Sequence, residues 1–465
     1  MDSKNSTHSY TVIFFCLIIL LLVFLAPAPD GLSVQGKNTF GIFIIAIILW
    51  VTNALPLSVT GLFVLVLLPL LNVMSSKDAF SLFGNKAVFF ILGAFILAAG
   101  MMKTGLSKRI ALMMLTRFGN TPKKMVGGIM FSSALMSFIM PEHAVAAIMF
   151  PVVKTIAENL NLEPLNSNYG TFLFLSLAWG AIIGGVGTLL GGARNPLAIG
   201  MLEENTGMSI SFFEWCVAAI PIVFIMLIIG FVVLNYFFKI DVDDVQPAKW
   251  ALKEEINNIG KMDEYETKTA IIVFSTIIAW IVFGHNFGLA AIAVIGSVAL
   301  FIFNILNWED IESDVNWGII LMYGGAISIG SALSYTGAAQ WIANGVINGF
   351  VLTPILLVLI ISLIAKFLTE GISNSAAVAI LVPIGFSLGD VIGINPIAMV
   401  YLIAIPSGLV FILPMGTPPN AIAYSSGYYE IKDVLIPGLI LNFTSWIVFI
   451  VMVLTYWPVI GLSIT

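Results

Sequence analysis

Charged residues are scarce in this chain. Asp, Glu, Lys and Arg make up 9% of the 465 residues, whereas 59% are hydrophobic. A soluble protein of this length needs more charge on its surface, so the composition excludes a string of soluble domains. Apolar stretches long enough to cross about 30 Å of hydrocarbon recur from end to end, and backbone groups in lipid must be satisfied internally. The sequence therefore predicts an all-α polytopic membrane protein.

Other scarcities remove further classes of function. Both cysteines, Cys16 and Cys216, lie in apolar stretches, so we infer neither a disulfide nor a redox compartment. The three histidines lack zinc-site spacing such as H-E-x-x-H. Residues 385–389 match G-x-S-x-G but lie on a predicted helical arm without the strand-to-helix turn of a nucleophile elbow, so we expect no enzyme. The net charge of −6 and the lack of a dense basic stretch argue against nucleic-acid binding.

Eleven membrane crossings and two hairpins are predicted. The crossings are placed at 10–27, 39–55, 58–74, 87–104, 170–202, 212–238, 268–284, 287–305, 316–335, 395–425 and 434–460. The first is read as a retained span rather than a cleaved signal peptide. Two further apolar segments, within 121–163 and 352–389, are interrupted by Pro, Gly, Ser and Asn. Irregular backbone at membrane depth must be surrounded by protein or line a cavity, so both are predicted to be re-entrant.

Basic residues predict the orientation of the chain. They concentrate in two segments, one with Lys103, Lys108, Arg109, Arg117, Lys123 and Lys124 and the other with Lys239, Lys249, Lys253, Lys261 and Lys268. Short loops rich in Lys and Arg stay in the cytoplasm. We therefore expect a plasma (inner) membrane protein with a cytoplasmic amino terminus and an external carboxyl terminus.

An internal repeat runs through the chain at a constant offset of 232 residues. Gly93-Ala94 maps to Gly325-Ala326, Thr104-Gly105 to Thr336-Gly337, Ile110-Ala111 to Ile342-Ala343, and Pro151 to Pro383. Five predicted crossings separate equivalent points, so the second copy is expected to be inverted, as in secondary transporters. The predicted segments are an N-terminal span and loop over 1–38, a first inverted repeat over 39–238, a cytoplasmic linker over 239–267 and a second inverted repeat over 268–465.

Both repeats contain a polar hairpin tip and a broken helix. The tips are Pro141-Glu142-His143 and Ser373-Asn374-Ser375, and the broken helices, predicted over 170–204 and 395–425, contain 191–196 and 416–420. Unwound carbonyls with Ser, Thr and Asn oxygens suit sodium, whereas helix amino termini and side-chain donors suit an anion. Any one of these polar residues could instead bond neighbouring helices. Taken together they favour a secondary transporter with adjoining cation and anion sites over a channel.

These motifs resemble a known family. Ser373-Asn374-Ser375-Ala376 is similar to the Ser-Asn-Thr signature of the divalent anion/sodium symporter family, and Gly416-Thr417-Pro418-Pro419-Asn420 to its Thr-Pro-Pro-Asn loop. The resemblance, which covers nearly the whole chain, implies transport of a dicarboxylate or sulfate-like anion coupled to sodium. It also implies a homodimer whose transport domain moves like an elevator, with no cofactor besides the coupling ions.

The resemblance also implies roles for residues of the second half. Ser373, Asn374 and Ser375 would contact the anion, with Thr417 and Pro418 close by. Thr369, Asn374 and Gly416 would surround a sodium ion. Ser375 stands where the family has threonine, a loss of one methyl group.

The first half departs from the family pattern. Pro141-Glu142-His143 replaces Ser-Asn-Thr, and Gly192-Ala193-Arg194-Asn195 replaces Thr-Pro-Pro-Asn. Ionisable residues at membrane depth are costly and point to function. Three hypotheses stay open: Glu142 and Arg194 neutralise each other, Arg194 clamps the anion, or Glu142 and His143 couple transport to protons.

These substitutions define the remaining candidates and the alternative function. The candidates are Glu142, His143, Arg194 and Asn195 for the anion, and Ser137, Glu142 and Gly191 for a second sodium ion or its replacement. An anion exchanger or a proton-coupled carrier is the alternative to sodium symport. Outside the tips, Lys366 with Glu370 and Lys154 with Glu158 are predicted to form structural pairs at helical spacing.

Overall fold

The computed structural model describes residues 3–349 and 352–465, and within them the chain is helical with no β-strand. Residues 1, 2, 350 and 351, which fall in the predicted N-terminal and second-repeat segments, lie outside the described residues. The first eleven α-helices are α1 Ser3–Leu25, α2 Val34–Thr52, α3 Leu57–Leu70, α4 Ser76–Ser81, α5 Lys86–Lys103, α6 Leu106–Phe118, α7 Pro122–Met136, α8 Glu142–Asn159, α9 Asn168–Val186, α10 Arg194–Thr206 and α11 Phe212–Phe237. The others are α12 Gln246–Ile259, α13 Glu264–Phe287, α14 Leu289–Ile302, α15 Trp308–Asp314, α16 Trp317–Tyr335, α17 Ala338–Gly349, α18 Pro354–Gly371, α19 Asn374–Ile392, α20 Pro396–Ala404, α21 Pro418–Tyr424 and α22 Ile431–Thr455.

Nine helical segments of the described chain are long and apolar enough to cross a membrane. Four shorter apolar helices accompany them, at Ser9–Leu25, Leu57–Leu70, Leu289–Ile302 and Pro396–Gly408. The nine include α18 and α19, the two arms of a predicted hairpin. The all-helical membrane protein is therefore confirmed, whereas the eleven crossings and two re-entrant hairpins stay predictions.

The helix boundaries follow the offset of 232 residues. Helices α3 and α14 begin at Leu57 and Leu289, α7 and α18 begin at Pro122 and Pro354, and α8 and α19 begin at Glu142 and Asn374. Local signals set these starts. Thr121 and Thr353 each accept a backbone N–H of the following turn, and a proline fills the first position of α7 and α18, where an N–H would have no helical partner.

Two turns have the same backbone conformation in both repeats. Asn72 and Asn304 have φ of 56° and 54°, and Gly105 and Gly337 have φ of 79° and 72°. Asparagine and glycine are the residues that tolerate this left-handed region best. The repeat in the sequence is thus a repeat of turns as well as of helices.

Elements of the two repeats pack across each other. Helix α3 packs on α16, and its counterpart α14 packs on α5. Likewise α10, which follows the first break, packs on α19, and α21, which follows the second, packs on α8. Each broken helix therefore meets the hairpin tip of the other repeat.

Several helices lie outside the predicted spans. Helices α6 and α17 follow the left-handed glycines in equivalent places, and the predicted linker over 239–267 contains α12, which packs on α6 and α8. Near the end of the linker, Arg109 of α6 forms an ion pair of 2.8 Å with Glu266 of α13. The linker thus contains a helix and an ion pair that hold it against the first repeat.

Candidate functional site

The two hairpin tips meet at the beginnings of α8 and α19. Glu142 is the first residue of α8 and Asn374 the first residue of α19. In one of its two amide orientations, Asn374 Nδ2 lies 3.4 Å from Glu142 Oε1 and donates to it. Both side chains are buried. The pairing of equivalent residues indicates that the two repeats face each other at this point.

A guanidinium and a hydroxyl also contact the Glu142 carboxylate. Arg194 Nη1 lies 3.2 Å from both carboxylate oxygens, and Thr417 Oγ1 donates to Oε1 over 3.1 Å. The Arg194 side chain is 1% exposed, and within the described structure its Nε and Nη2 have no hydrogen-bond partner. Gly192 and Gly408 leave the space that this guanidinium fills, since a Cβ on either would collide with it.

In the first repeat, the break after α9 packs against the tip. The backbone N–H of Glu142 donates to the carbonyl of Gly191 over 2.8 Å. A Cβ on Gly191 would lie 2.5 Å from the carbonyl oxygen of Ser137. The buried Ser137 hydroxyl has no partner among the described residues. The predicted set of Ser137, Glu142 and Gly191 is therefore brought together.

The second repeat has the corresponding arrangement. Thr369 Oγ1 lies 2.7 Å from the side-chain amide of Asn374 and donates to the carbonyl of Ser407 over 3.0 Å. A Cβ on Gly416 would lie 3.0 Å from the carbonyl oxygen of Thr369. In its alternative orientation, the Asn374 amide donates to the Gly416 carbonyl over 3.0 Å and accepts from Arg194 over 3.2 Å. Thr369, Asn374 and Gly416 therefore also lie together.

Asn195 and Asn420 brace the two breaks in the same way. Asn195 Nδ2 donates to the carbonyls of Gly185 and Thr188, over 3.2 and 2.7 Å. Asn420 Nδ2 donates to the carbonyls ten and seven residues before it, those of Val410 and Leu413, over 3.2 and 3.4 Å. Asn195 thus binds backbone of its own loop, like its counterpart at the offset of 225 seen in the sequence.

Other predicted site residues lie at the edge of this cluster. The His143 ring packs edge-on against Phe95, with 5.7 Å between ring centroids. The Ser373 hydroxyl accepts from the backbone N–H of Ala376 and so caps α19. Ser375 is buried, whereas Pro418 is exposed. The side-chain contacts of the Glu142 carboxylate therefore come from Arg194, Asn374 and Thr417.

The prediction that Lys366 and Glu370 form an ion pair is wrong. Glu370 instead accepts from the backbone N–H groups of Phe411, Ile412 and Leu413 and from the Asn442 amide, over 2.6–3.3 Å. The buried Lys366 Nζ has no hydrogen-bond partner in the described chain and lies 4.7 Å from the ring centroid of Phe411. Free N–H groups of the unwound backbone outcompete a lysine on the same helix, because they point directly at the carboxylate.

One predicted pair is present, and three site residues were missed. Lys154 and Glu158 lie 3.8 Å apart on the exposed face of α8. The contacts of Glu370 with the second break, of Ser407 with Thr369 and of Gly408 with Arg194 were not predicted. Ser407 and Gly408 follow Pro406, and a Pro-Ser-Gly sequence within an apolar span is the signal that could have located this irregular turn.

Known proteins resemble the chain over nearly its full length. The family described as the sodium:sulfate symporter transmembrane region matches residues 7–463. A protein of Staphylococcus saprophyticus named sodium-dependent dicarboxylate transporter SdcS is 29% identical, covering 100% of this chain and 95% of that protein. Its namesake from Staphylococcus aureus strain USA300 is 30% identical, covering 95% of this chain and 90% of that protein.

Two solved structures share the fold. The YdaH transporter of Alcanivorax borkumensis has a TM-score of 0.56 at 13% identity, covering 97% of this chain and 98% of its own. MtrF of Neisseria gonorrhoeae, described as an antimetabolite efflux pump, has a TM-score of 0.58 at 15% identity, covering 95% and 94%. Because the family match extends over almost every residue, this chain belongs to the divalent anion/sodium symporter family and is a membrane transporter rather than an enzyme.

Proposed function

We propose that this protein carries a small anion, a dicarboxylate or a sulfate-like ion, across the plasma membrane together with sodium. The family match and the names of the staphylococcal relatives support sodium and a dicarboxylate as cargo. The observation that carries the proposal is the contact of Arg194, Asn374 and Thr417 with a single carboxylate, that of Glu142. Charged, amide and hydroxyl donors around one carboxylate are suited to binding an oxyanion.

The anion would bind between the two tips. The unpartnered Nε and Nη2 of Arg194 are buried donors, and buried donors without partners are costly unless a ligand satisfies them. Asn374 and Thr417 would supply neutral donors, with Ser373, Ser375 and Pro418 at the rim. In the first half, His143 would lie at the edge of the anion site, and Asn195 would brace the loop that presents Arg194.

Sodium would bind in the second half, between Thr369, Asn374 and Gly416. When the Asn374 amide is turned to donate to Glu142, its oxygen faces the Thr369 hydroxyl and the Gly416 carbonyl, and hydroxyl, amide and carbonyl oxygens are the ligand set of a hard cation. In the first half, Ser137 and Gly191 are present, but Glu142 carries a charge that Arg194 already neutralises. We therefore propose that the first half binds no sodium and that fewer ions are coupled than with two intact sites.

The transport movement would follow from the two repeats. We propose inverted repeats over 39–238 and 268–465 with re-entrant hairpins, working in a homodimer by an elevator movement. Cysteines placed singly at Thr121 and Asn168, in a background lacking Cys16 and Cys216, test the first hairpin. Both should react with an impermeant reagent from the cytoplasmic face, whereas labelling from opposite faces would make the segment a true crossing.

Uptake into proteoliposomes tests the function itself. Labelled succinate, sulfate and citrate would be offered with and without an inward sodium gradient. We expect uptake of succinate that depends on sodium with low cooperativity. Uptake that ignores sodium and requires anion inside the vesicles would instead identify an exchanger, and uptake driven by a pH gradient alone would identify proton coupling through Glu142 and His143. The exchanger and the proton-coupled carrier are favoured by one observation, the presence of Pro141-Glu142-His143 where the family has Ser-Asn-Thr.

A further inference from the structure

Three donors of the proposed anion site, on Arg194, Asn374 and Thr417, are already bound to a carboxylate of the protein. Glu142 Oε1 accepts from Arg194 Nη1, Thr417 Oγ1 and Asn374 Nδ2, over 3.2, 3.1 and 3.4 Å. Two of these donors belong to the second repeat, whereas Glu142 belongs to the first. The carboxylate thus reaches across the meeting point of the tips and makes the contacts that a substrate carboxylate would need.

Charge opposes a second anion beside this carboxylate, and on one side Gly185 packs so closely on Glu142 that a Cβ there would collide with Oε2. Arg194 is the one basic residue within ion-pair distance of Glu142 in the described chain, so a dianion added to the pair would leave uncompensated negative charge. Charges at this depth interact strongly because they are poorly screened. Anion binding therefore requires that the Glu142 carboxylate leave its donors.

We propose that Glu142 is a tethered stand-in for the transported anion, which the substrate displaces on binding and which replaces the substrate when the carrier returns unloaded. This inference rests on the proposed function. With substrate absent, Glu142 neutralises Arg194 and contacts Asn374 and Thr417, so no charge is left unpaired where the two tips meet. With substrate bound, an external carboxylate takes over these donors. No covalent step is involved.

The proposal explains why a carboxylate is present in a site for anions. A carrier that performs net uptake must return without substrate, and an unpaired Arg194 would oppose that return because a buried charge without a partner is costly. Without the Glu142 carboxylate, the carrier would change its orientation only with substrate bound. Removing the Glu142 charge should therefore convert net transport into exchange.

The experiment compares two transport modes in the same proteoliposomes. Net uptake of labelled succinate is measured into vesicles without internal succinate, and exchange into vesicles loaded with unlabelled succinate, both with inward sodium. For Glu142→Gln we expect the ratio of exchange to net uptake to rise at least tenfold above that of the wild type. We also expect succinate to raise the melting temperature of this variant more than that of the wild type, since no carboxylate has to be displaced.

Two further variants complete the test. Glu158→Gln, on the exposed face of the same helix, removes the same charge away from the tips and should leave the ratio unchanged. Glu142→Asp retains the charge but withdraws it by one methylene, so we expect an intermediate ratio of exchange to net uptake. If Glu142→Gln does not fold, the ratio of Glu142→Asp tests the proposal in its place. A wild-type ratio in both Glu142 variants would overturn the stand-in. Wild-type protein that shows neither mode would overturn the proposed function, and the inference with it.

Discussion

The two halves of the site share a backbone plan but place their charges differently. In the first half the charges are at the centre, where Glu142 and Arg194 lie 3.2 Å apart. In the second half the tip is neutral and the charges are on the preceding arm, at Lys366 and Glu370. The first-half positions equivalent to these two, at the offset of 232, are Ala134 and Phe138. A repeated fold thus fixes where side chains meet, while the side chains themselves have diverged.

The difference indicates that the two tips have different roles in binding. The neutral tip keeps oxygen ligands of the kind that sodium prefers, whereas the charged tip keeps a cation and an anion tethered to the protein. Glu370 stabilises the irregular backbone of the second break by accepting hydrogen bonds from three of its N–H groups, which have no helical partner there. Substitutions can distinguish the roles of the charged pair at the first tip, the amide at the second tip, the two loop glycines and the lysine on the arm.

The largest effect is expected from separating the central pair. Arg194→Gln alone leaves the buried Glu142 carboxylate without its counter-charge, and we expect it to lower the free energy of unfolding by about 3–5 kcal/mol. The double variant with Glu142→Gln should recover most of this loss, because two amides can bond each other. Thermal unfolding of all four proteins in detergent forms the double-mutant cycle. Strictly additive losses would contradict coupling of the two residues.

At the neutral tip, Asn374→Ala should act on transport more than on folding. The amide serves both proposed sites, and its loss removes a ligand of the cation and a donor to the anion. We expect sodium-driven succinate uptake to fall at least tenfold, which is about 1.4 kcal/mol, with the protein still folded. Asn159→Ala, which removes an exposed amide at the end of α8, is the matched control. Near-normal uptake by Asn374→Ala would remove the second tip from the site.

The two loop glycines should differ in their tolerance of a methyl group. A Cβ on Gly191 would lie 2.5 Å from the Ser137 carbonyl, a backbone atom, whereas the nearest atom to a Cβ on Gly416 is Val410 Cγ1, at 2.6 Å. A side chain yields more easily than backbone. Overpacking costs about 1–3 kcal/mol, so we expect Gly191→Ala near the upper end and Gly416→Ala near the lower, measured by thermal unfolding. The reverse order would mean that the first break is the more compliant.

The smallest effect is expected on the arm of the second repeat. Lys366 is buried without a hydrogen-bond partner in the described structure, so its ammonium contributes little that an apolar chain of similar length lacks. Lys366→Met should change the free energy of unfolding by less than about 1 kcal/mol, or raise it, because a buried ammonium without a hydrogen-bond partner is costly and methionine has a similar length without that cost. Melting temperature with and without sodium is the measurement. A large loss would show that the ammonium balances Glu370 across one helical turn.

Much of the architecture could be predicted from particular residues. Thr121-Pro122 and Thr353-Pro354 identify equivalent helix starts, and the left-handed turns fall at Gly105 and Gly337. The resemblance to the family implied the set around Thr369, and the set around Ser137 was a candidate for a second sodium ion or its replacement; the structure brings the residues of each set together. The contact between Glu142 and Asn374 was not predicted, since a repeat gives equivalence and says nothing of distance. The acceptor role of Glu370 was missed because helical spacing suggested Lys366 as its partner.

The sequence by itself determined the membrane environment, the helical class, the repeat and the identity of the polar residues at each tip. These depend on composition, periodicity and local turn chemistry, which act within a few residues along the chain. Only the tertiary structure decided which hypothesis for Glu142 has a geometric basis: the carboxylate meets Arg194, Asn374 and Thr417 at once, while His143 turns to Phe95. The contacts of the Glu142 carboxylate join residues between 52 and 275 positions apart, and such contacts are set by how helices pack rather than by any local preference.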